Sequence, residues 1–199
     1  MQNEISLEKL IAGDRAEFAR LVDVYSGSIY RLGLKMLGNP QDAEDVLQNT
    51  FMNALVHLSS FEGRSSVATW LYRIATNEAL MMIRKRKPEV SLELEAQEGE
   101  AESIEDLKPT VFADWSGLPE EELLSTEGKT ILDTTIQSLP ETLRIVFILR
   151  DIEGLSIKET ADALNLTETN VKTRLLRARM YLRERLSTYY AAHLQEEER

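Results

Sequence analysis

Cysteine is absent from all 199 residues. That excludes a disulfide framework, a thiolate metal site and any cysteine nucleophile. Histidine is scarce: His57 and His193 are the only two, in unrelated surroundings, so there is no imidazole cluster for metal binding or acid–base work. The nine glycines form no glycine-rich phosphate loop. An enzyme is therefore the least favoured class, and neither a cofactor nor a metal is expected. No apolar run approaches the roughly 18 residues that span a bilayer. The opening residues MQNEISLEKL are acidic and lack the charged-then-apolar order of a secretory leader. The expectation is a cytoplasmic chain with no direct membrane insertion.

What the chain does have is charge, unevenly placed. At 43% hydrophobic and 29% charged, its composition is that of an ordinary globular protein, long enough for one or two small domains. The net charge is −11. Pro88 to Gly128 holds thirteen acids against one base, Lys108, which is more than the whole net charge. The rest is close to neutral, with its positive charge gathered in two places, and local patches rather than totals set phosphate affinity. Residues 88–128 read as an acidic flexible linker, with the near-repeat ELEAQEGEAE and few aromatics. Trp115 is the exception, a residue expected to dock on this chain or on a partner.

The first domain, residues 1–87, is helical in pattern. Phe18, Leu21, Val22, Tyr25, Ile29, Leu32 and Met36 recur at helical spacing, although Gly27 and Gly33 argue against one unbroken helix. Gly38-Asn39-Pro40 stops one helix and starts the next. In NPQDAEDVLQNTFMNALVHL, the acids Asp42, Glu44 and Asp45 suit the positive end of the helix dipole, and Val46, Leu47, Thr50, Phe51, Ala54, Leu55 and Leu58 form an apolar stripe. A sharper reading presents Asp42, Asp45, Gln48 and Asn49 to a partner protein.

Phe61 to Lys87 is basic within an acidic protein. A loop, Ser59 to Arg64, precedes Ser65 or Ser66 as the cap of a helix that runs through Arg86. Leu71, Ile74, Ala75, Ala79, Met82 and Ile83 face a core. Thr69, Tyr72, Arg73, Thr76 and Asn77 lie on other faces, and the run ends in Arg84, Lys85, Arg86 and Lys87. Hydroxyls, aromatics and cations in this order suit unpaired nucleic acid, where rings stack on bases and cations follow phosphate. Trp70 fits a buried role better than base stacking.

The second domain, residues 129–199, is also helical. Ser156-Ile157-Lys158-Glu159 is a capping box. It opens a short helix to Leu164, Asn165 fits a left-handed turn, and Thr167 caps a final helix. Two helices joined by a tight turn have helix-turn-helix spacing. Val171, Leu175, Ala178, Leu182 and Leu186 form the buried stripe of the last helix. Its open face holds Thr169, Asn170, Lys172, Thr173, Arg174 and Arg177. Asn and Arg can read base edges bidentately, and Lys and Thr can hold phosphate. The plainer alternative is a solvated basic helix in a simple bundle.

Two segments, in order, resemble one family. NPQDAEDVLQNTFMNAL with ATWLYRIATNEALMMIRKRK resembles region 2 of the extracytoplasmic-function (ECF) sigma factors of the bacterial sigma-70 family. LPETLRIVFILRDIEGLSIKETADALNLTETNVKTRLLRARMYLRERL resembles their region 4. The resemblance implies an all-α chain of two helical domains joined by the acidic linker, serving as a promoter-specificity subunit of RNA polymerase. Asp42, Asp45, Gln48 and Phe51 would contact the β′ clamp helices of core polymerase, with the β subunit as a further partner. Arg64, Ser65 and Ser66 would hold a flipped −10 base. Thr69, Tyr72, Arg73, Thr76 and Asn77 would grip the strand, and Arg84 to Lys87 would anchor phosphate. Thr169, Asn170, Lys172, Thr173, Arg174 and Arg177 would face the −35 duplex. An anti-sigma factor, often membrane-bound in this family, is a further expected partner. The chain departs from the usual pattern at Met81, where many members carry an acid, and near Leu55, where an aromatic is common.

The rival to a promoter subunit is a sigma mimic that titrates an anti-sigma factor without opening promoters. Retention of both basic faces argues against it, because a mimic need not keep them.

Overall fold

The computed structural model describes residues 5–86 and 126–197. Lys87, Trp115 and the acidic linker core lie outside these residues. Every regular element among them is helical. The first domain runs α1 (Leu7–Ile11), α2 (Arg15–Leu37), α3 (Pro40–His57), a single 3-10 turn (Leu58–Ser60) and α4 (Val67–Arg86). The second runs α5 (Thr126–Ser138), α6 (Glu141–Phe147) widening into a π turn (Ile148–Ile152), α7 (Ile157–Leu164) and α8 (Glu168–Glu197). α5 thus begins inside the stretch that the sequence assigns to the linker.

The helix starts follow the side-chain punctuation. An opening turn has backbone N–H groups without intrahelical acceptors, and a short oxygen-bearing side chain supplies one. Asp14 Oδ1 accepts from Ala16 N at 2.8 Å, and Asn39 Oδ1 from Gln41 N at 2.8 Å. Ser66 Oγ accepts from Thr69 N at 3.0 Å, and Thr167 Oγ1 from Asn170 N at 3.2 Å. Gly38, at φ 70°, closes α2 in the left-handed conformation that glycine adopts without a steric cost.

α2 is unbroken, against the expectation drawn from its glycines. Gly33 serves packing instead. A Cβ there would lie 3.0 Å from Ala43 Cα and 3.3 Å from Ala43 Cβ, so the missing side chain lets α2 and α3 cross closely.

Leu21, Ile29, Leu32 and Met36 of α2 pack with Val46 and Ala54 of α3 and with Leu71, Ala75 and Ala79 of α4, all buried. The same apolar cluster continues into Ile145, Val146, Ile148, Leu149, Ala161, Val171 and Leu175. The two domains therefore share one core. Each Leu or Ile buried this way contributes about 1.5–3 kcal/mol relative to exposure. Polar contacts cross the same junction. Arg144 Nη1 donates to the Met36 carbonyl at 2.7 Å, and Lys35 Nζ lies 2.6 Å from Asp133 Oδ1.

Candidate nucleic-acid interface

The turn between α7 and α8 is fixed by Asn165, the one non-glycine residue with positive φ among the described residues, at 55°. Leu166 N–H donates back to the Ala161 carbonyl at 3.0 Å, closing α7. Val171, Leu175, Ala178, Leu182 and Leu186 are buried and hold α8 in place. Arg179 adds a bidentate pair with Asp151, at 2.8 and 2.7 Å, which ties α8 to the end of the π turn. That hydrogen bond raises the guanidinium pKa.

The exposed part of α8 carries Thr169 and Lys172, with Asn170, Arg174 and Arg177 half-buried. Lys172 Nζ sits 3.9 Å from Glu168 Oε2, a solvated pair one turn apart that gives way readily to phosphate. Thr173 differs from expectation. Its side chain is buried, and its hydroxyl donates to the Thr169 carbonyl at 3.0 Å, so it offers no free donor to a base.

The second basic surface is on α4 and the loop before it. Arg64 is highly exposed and pairs with Glu62. Ser65 is half-buried and Ser66 exposed, but Ser66 Oγ is engaged with Thr69 N and, at 2.8 Å, with Thr69 Oγ1. Trp70 stacks on Phe61, with centroids 4.7 Å apart, so it supports the loop rather than offering a face to bases. Arg84, Lys85 and Arg86 are exposed in the last turn. Arg86 pairs with Asp42, and that bond raises its pKa. Arg73 and Asn77 are exposed, whereas Thr69, Tyr72 and Thr76, which share one helical face, are buried.

The second domain covers that face. Arg73 donates to the Asp162 carbonyl of α7. Tyr72 donates to Glu153 Oε2 at 3.0 Å, and burial followed by the Glu153 charge pushes the phenol pKa far above its ordinary value. Arg31 closes the group from α2, its Nε 3.3 Å from Oε1 and its Nη2 3.1 Å from Oε2 of Glu153. The Glu153 side chain is only 2% exposed. Neither Arg31 nor Glu153 stands out in the sequence, because a lone Arg and a lone Glu over a hundred positions apart carry no local pattern.

α3 presents a mixed surface. Gln48 and Asn49 are exposed and Asp45 is half-exposed. Asp42 and Phe51 turn inward: Asp42 is held by Arg86, and the Phe51 ring meets Phe18 edge-on at 6.4 Å. Met52, Leu55 and Val56, each more than half exposed, take their place on the open side. Leu55 is expected from the sequence in the buried stripe and is exposed instead, because it follows Ala54 by a third of a turn and points off the core face; Met52 and Val56 are apolar positions outside that stripe.

The comparisons with known proteins match this arrangement in order and extent. The sigma-70 region 2 model matches residues 21–89, and the sigma-70 region 4 model matches residues 129–182. The "ECF RNA polymerase sigma factor SigW" of Bacillus subtilis is 38% identical over 180 residues, covering 90% of this chain and 94% of that protein. This chain belongs to the sigma-70 family, in its ECF group. The sigma factor is accordingly a promoter-specificity subunit of RNA polymerase and a DNA-binding protein of transcription initiation. Its fold is shared with CnrH, solved in complex with the cytosolic domain of CnrY. The TM-score is 0.64 at 23% identity, covering 92% of this chain and 95% of that one. It is shared too with the sigma factor RpoE of Bartonella quintana, solved with the anti-sigma factor NepR: TM-score 0.61, 24% identity, covering 86% and 97%. Among the described residues of the sigma factor, no helix is long and apolar enough to cross a membrane.

Proposed function

We propose that the sigma factor directs core polymerase to promoters through three surfaces arranged as residues 1–87, a linker at 88–128 and residues 129–199. α8 reads the −35 duplex through Asn170, Arg174 and Arg177, with Thr169 and Lys172 on phosphate. The loop Arg64 to Ser66 receives a base extruded from the −10 element, which costs a few kcal/mol by the general estimate for flipping and is offset by contacts in the pocket. Thr69, Tyr72, Arg73, Thr76 and Asn77 hold the strand, and Arg84 to Lys87 grip phosphate at the duplex edge. Asp45 and Gln48, with exposed Met52, Leu55 and Val56, meet the β′ clamp helices; Asp42 and Phe51 shape that surface from beneath. The polymerase does the chemistry, and the sigma factor works in the cytoplasm with no catalysis of its own.

The observation that carries this reading is the pairing of two basic helices on one chain. One ends in exposed Arg84, Lys85 and Arg86, and the other is the second helix of a tightly turned pair. A mimic that only titrates an inhibitor needs neither. An anti-sigma factor is the expected antagonist, as NepR is for the Bartonella protein. Transcription in vitro with core polymerase and a promoter library tests the reading. Specific start sites that depend on the sigma factor are expected; their absence with every core enzyme tried would refute it.

A further inference from the structure

One apolar side chain of α4 points away from every core. Met81 is 60% exposed, whereas Leu80 and Met82 on either side of it are half-buried and pack against the apolar cluster. Ala79 and Ile83, both buried, fix the rotation of the helix, so Met81 cannot turn inward. Glu78 is the only acid of α4, and it is drawn off toward α3, where its Oε1 accepts from Asn53 Nδ2 at 2.8 Å. At steps of four and three residues, the exposed Arg73, Asn77, Met81 and Arg84 share one face, with Lys85 beside them. That face carries no acid. The helical rise puts Asn77 about 6 Å before Met81 and Arg84 about 4.5 Å beyond it. A large apolar group thus stands in water at the centre of a polar and cationic stripe.

We propose that Met81 is a specificity-determining residue, packing on the 5-methyl group of a thymine in the last base pair upstream of the melted −10 segment. The proposal deepens the promoter-subunit reading and rests on it, since that reading puts Asn77 on the separated strand and Arg84 and Lys85 on phosphate at the duplex edge. Met81 stands between those groups, at the boundary of paired and unpaired DNA. An α-helix fits the major groove, where thymine alone presents a methyl group. Cations on phosphate set the position of the helix without reading sequence, and the residue between them is left to meet the base edges. A thioether has no donor and only a weak acceptor, so hydrogen-bonded readout of a base is closed to it and apolar contact remains. Its three rotatable bonds let the side chain settle over a methyl group. Met81 is also where this chain departs from the usual family pattern, so the contact is particular to this chain.

The test uses holoenzyme and a library of fork-junction duplexes randomised around the −10 edge. On the sequences bound best, each thymine near the edge is replaced in turn by deoxyuridine, which lacks only the 5-methyl group. At one position, wild type is expected to bind thymine about three- to four-fold more tightly than deoxyuridine, the factor that burial of one methyl group gives. 5-Methylcytosine there should be preferred over cytosine by a similar factor. Met81→Leu should keep the preference, while Met81→Ala and Met81→Gln should bring the ratio to one. The ratio is taken within one protein, so any change in folded fraction cancels. No deoxyuridine effect at any edge position in wild type would overturn the proposal, as would an effect undiminished in Met81→Ala. A uniform loss on every sequence in Met81→Ala, with the ratio kept, would overturn it by marking Met81 as a polymerase contact. Absence of sequence-selective complexes on every fork counts against the promoter-subunit reading itself. A selective holoenzyme without the methyl effect refutes the Met81 contact alone.

Discussion

Removing the Arg144 guanidinium should destabilise both domains at once. The side chain is 9% exposed and donates to three backbone carbonyls: Met36 and Leu139, each at 2.7 Å, and Gln137. Gln137 lies in the last turn of α5, Leu139 directly after it and Met36 at the end of α2, so the cation sits where two helices leave their last carbonyls without partners. Two effects oppose each other in Arg144→Met. Burial depresses the Arg144 pKa, with the neighbouring Glu141 charge only partly restoring it, so the carbonyls do not fully replace lost water, and a methionine escapes that cost. Against this, three acceptors lose their donor, at about 1 kcal/mol each. The acceptors win, and the net loss should be about 2 kcal/mol. At roughly 2–4 °C per kcal/mol for a chain of this size, Tm should fall by about 4–8 °C. Arg144→Lys, whose ammonium reaches fewer of the three, should lie between. Thermal melts of the full chain followed by far-UV circular dichroism provide the measurement. An unchanged or raised Tm in Arg144→Met would mean that water already serves those carbonyls and that the reasoning is wrong.

Ser156→Ala should cost about 1 kcal/mol by removing the cap of α7. It also weakens the pH dependence carried by Glu159, whose pKa is lowered by the Ser156 hydroxyl first and then by the Ser156 backbone N–H, of which alanine keeps only the second. A depressed carboxylate stabilises the fold above its unfolded pKa, and that contribution fades as pH falls through the folded one. The difference in stability between wild type and Ser156→Ala should therefore shrink on acidification below about pH 4, in urea titrations at stepped pH. Gly33→Ala should cost about 1–3 kcal/mol, because its Cβ meets the Ala43 backbone rather than a flexible side chain; a melt within a degree of wild type would contradict this. Arg174→Ala should lose about 1–3 kcal/mol at one −35 base pair. Thr173→Val keeps a methyl and gives up a hydroxyl already spent on Thr169, so it should bind −35 duplexes as wild type does in an anisotropy series over single-base variants.

Much of the fold was legible because its determinants are local. Asn39-Pro40, Ser66, the Ser156–Glu159 box and Thr167 each act within one turn, and local hydrogen bonds leave residue types at fixed offsets. The stripe from Val171 to Leu186 declared itself in the same way. Gly33 misled because one residue type serves two purposes. A glycine inside a helix marks either a weak point or a close crossing, and only the position of Ala43, supplied by the fold, separates them. The π turn after Phe147 was equally hidden, since nothing in ILRDIEG distinguishes a widened turn from an ordinary helix end.

The candidate interface was legible in composition and less so in exposure, and the reason lies in the residues that such a surface needs. Thr69, Tyr72 and Thr76 carry hydroxyls on otherwise apolar bodies. That combination suits a face that stacks on bases and bonds to phosphate, and it suits equally a face packed against protein with its hydroxyls satisfied. Tyr72 on Glu153 and Thr76 on the Arg73 carbonyl show the second use. Fully polar positions, such as Asn77 and the Arg84 to Arg86 run, stay exposed. Burial of Thr69, Tyr72 and Thr76 is then what the chemistry of their side chains permits, with Glu153 accepting from the Tyr72 hydroxyl.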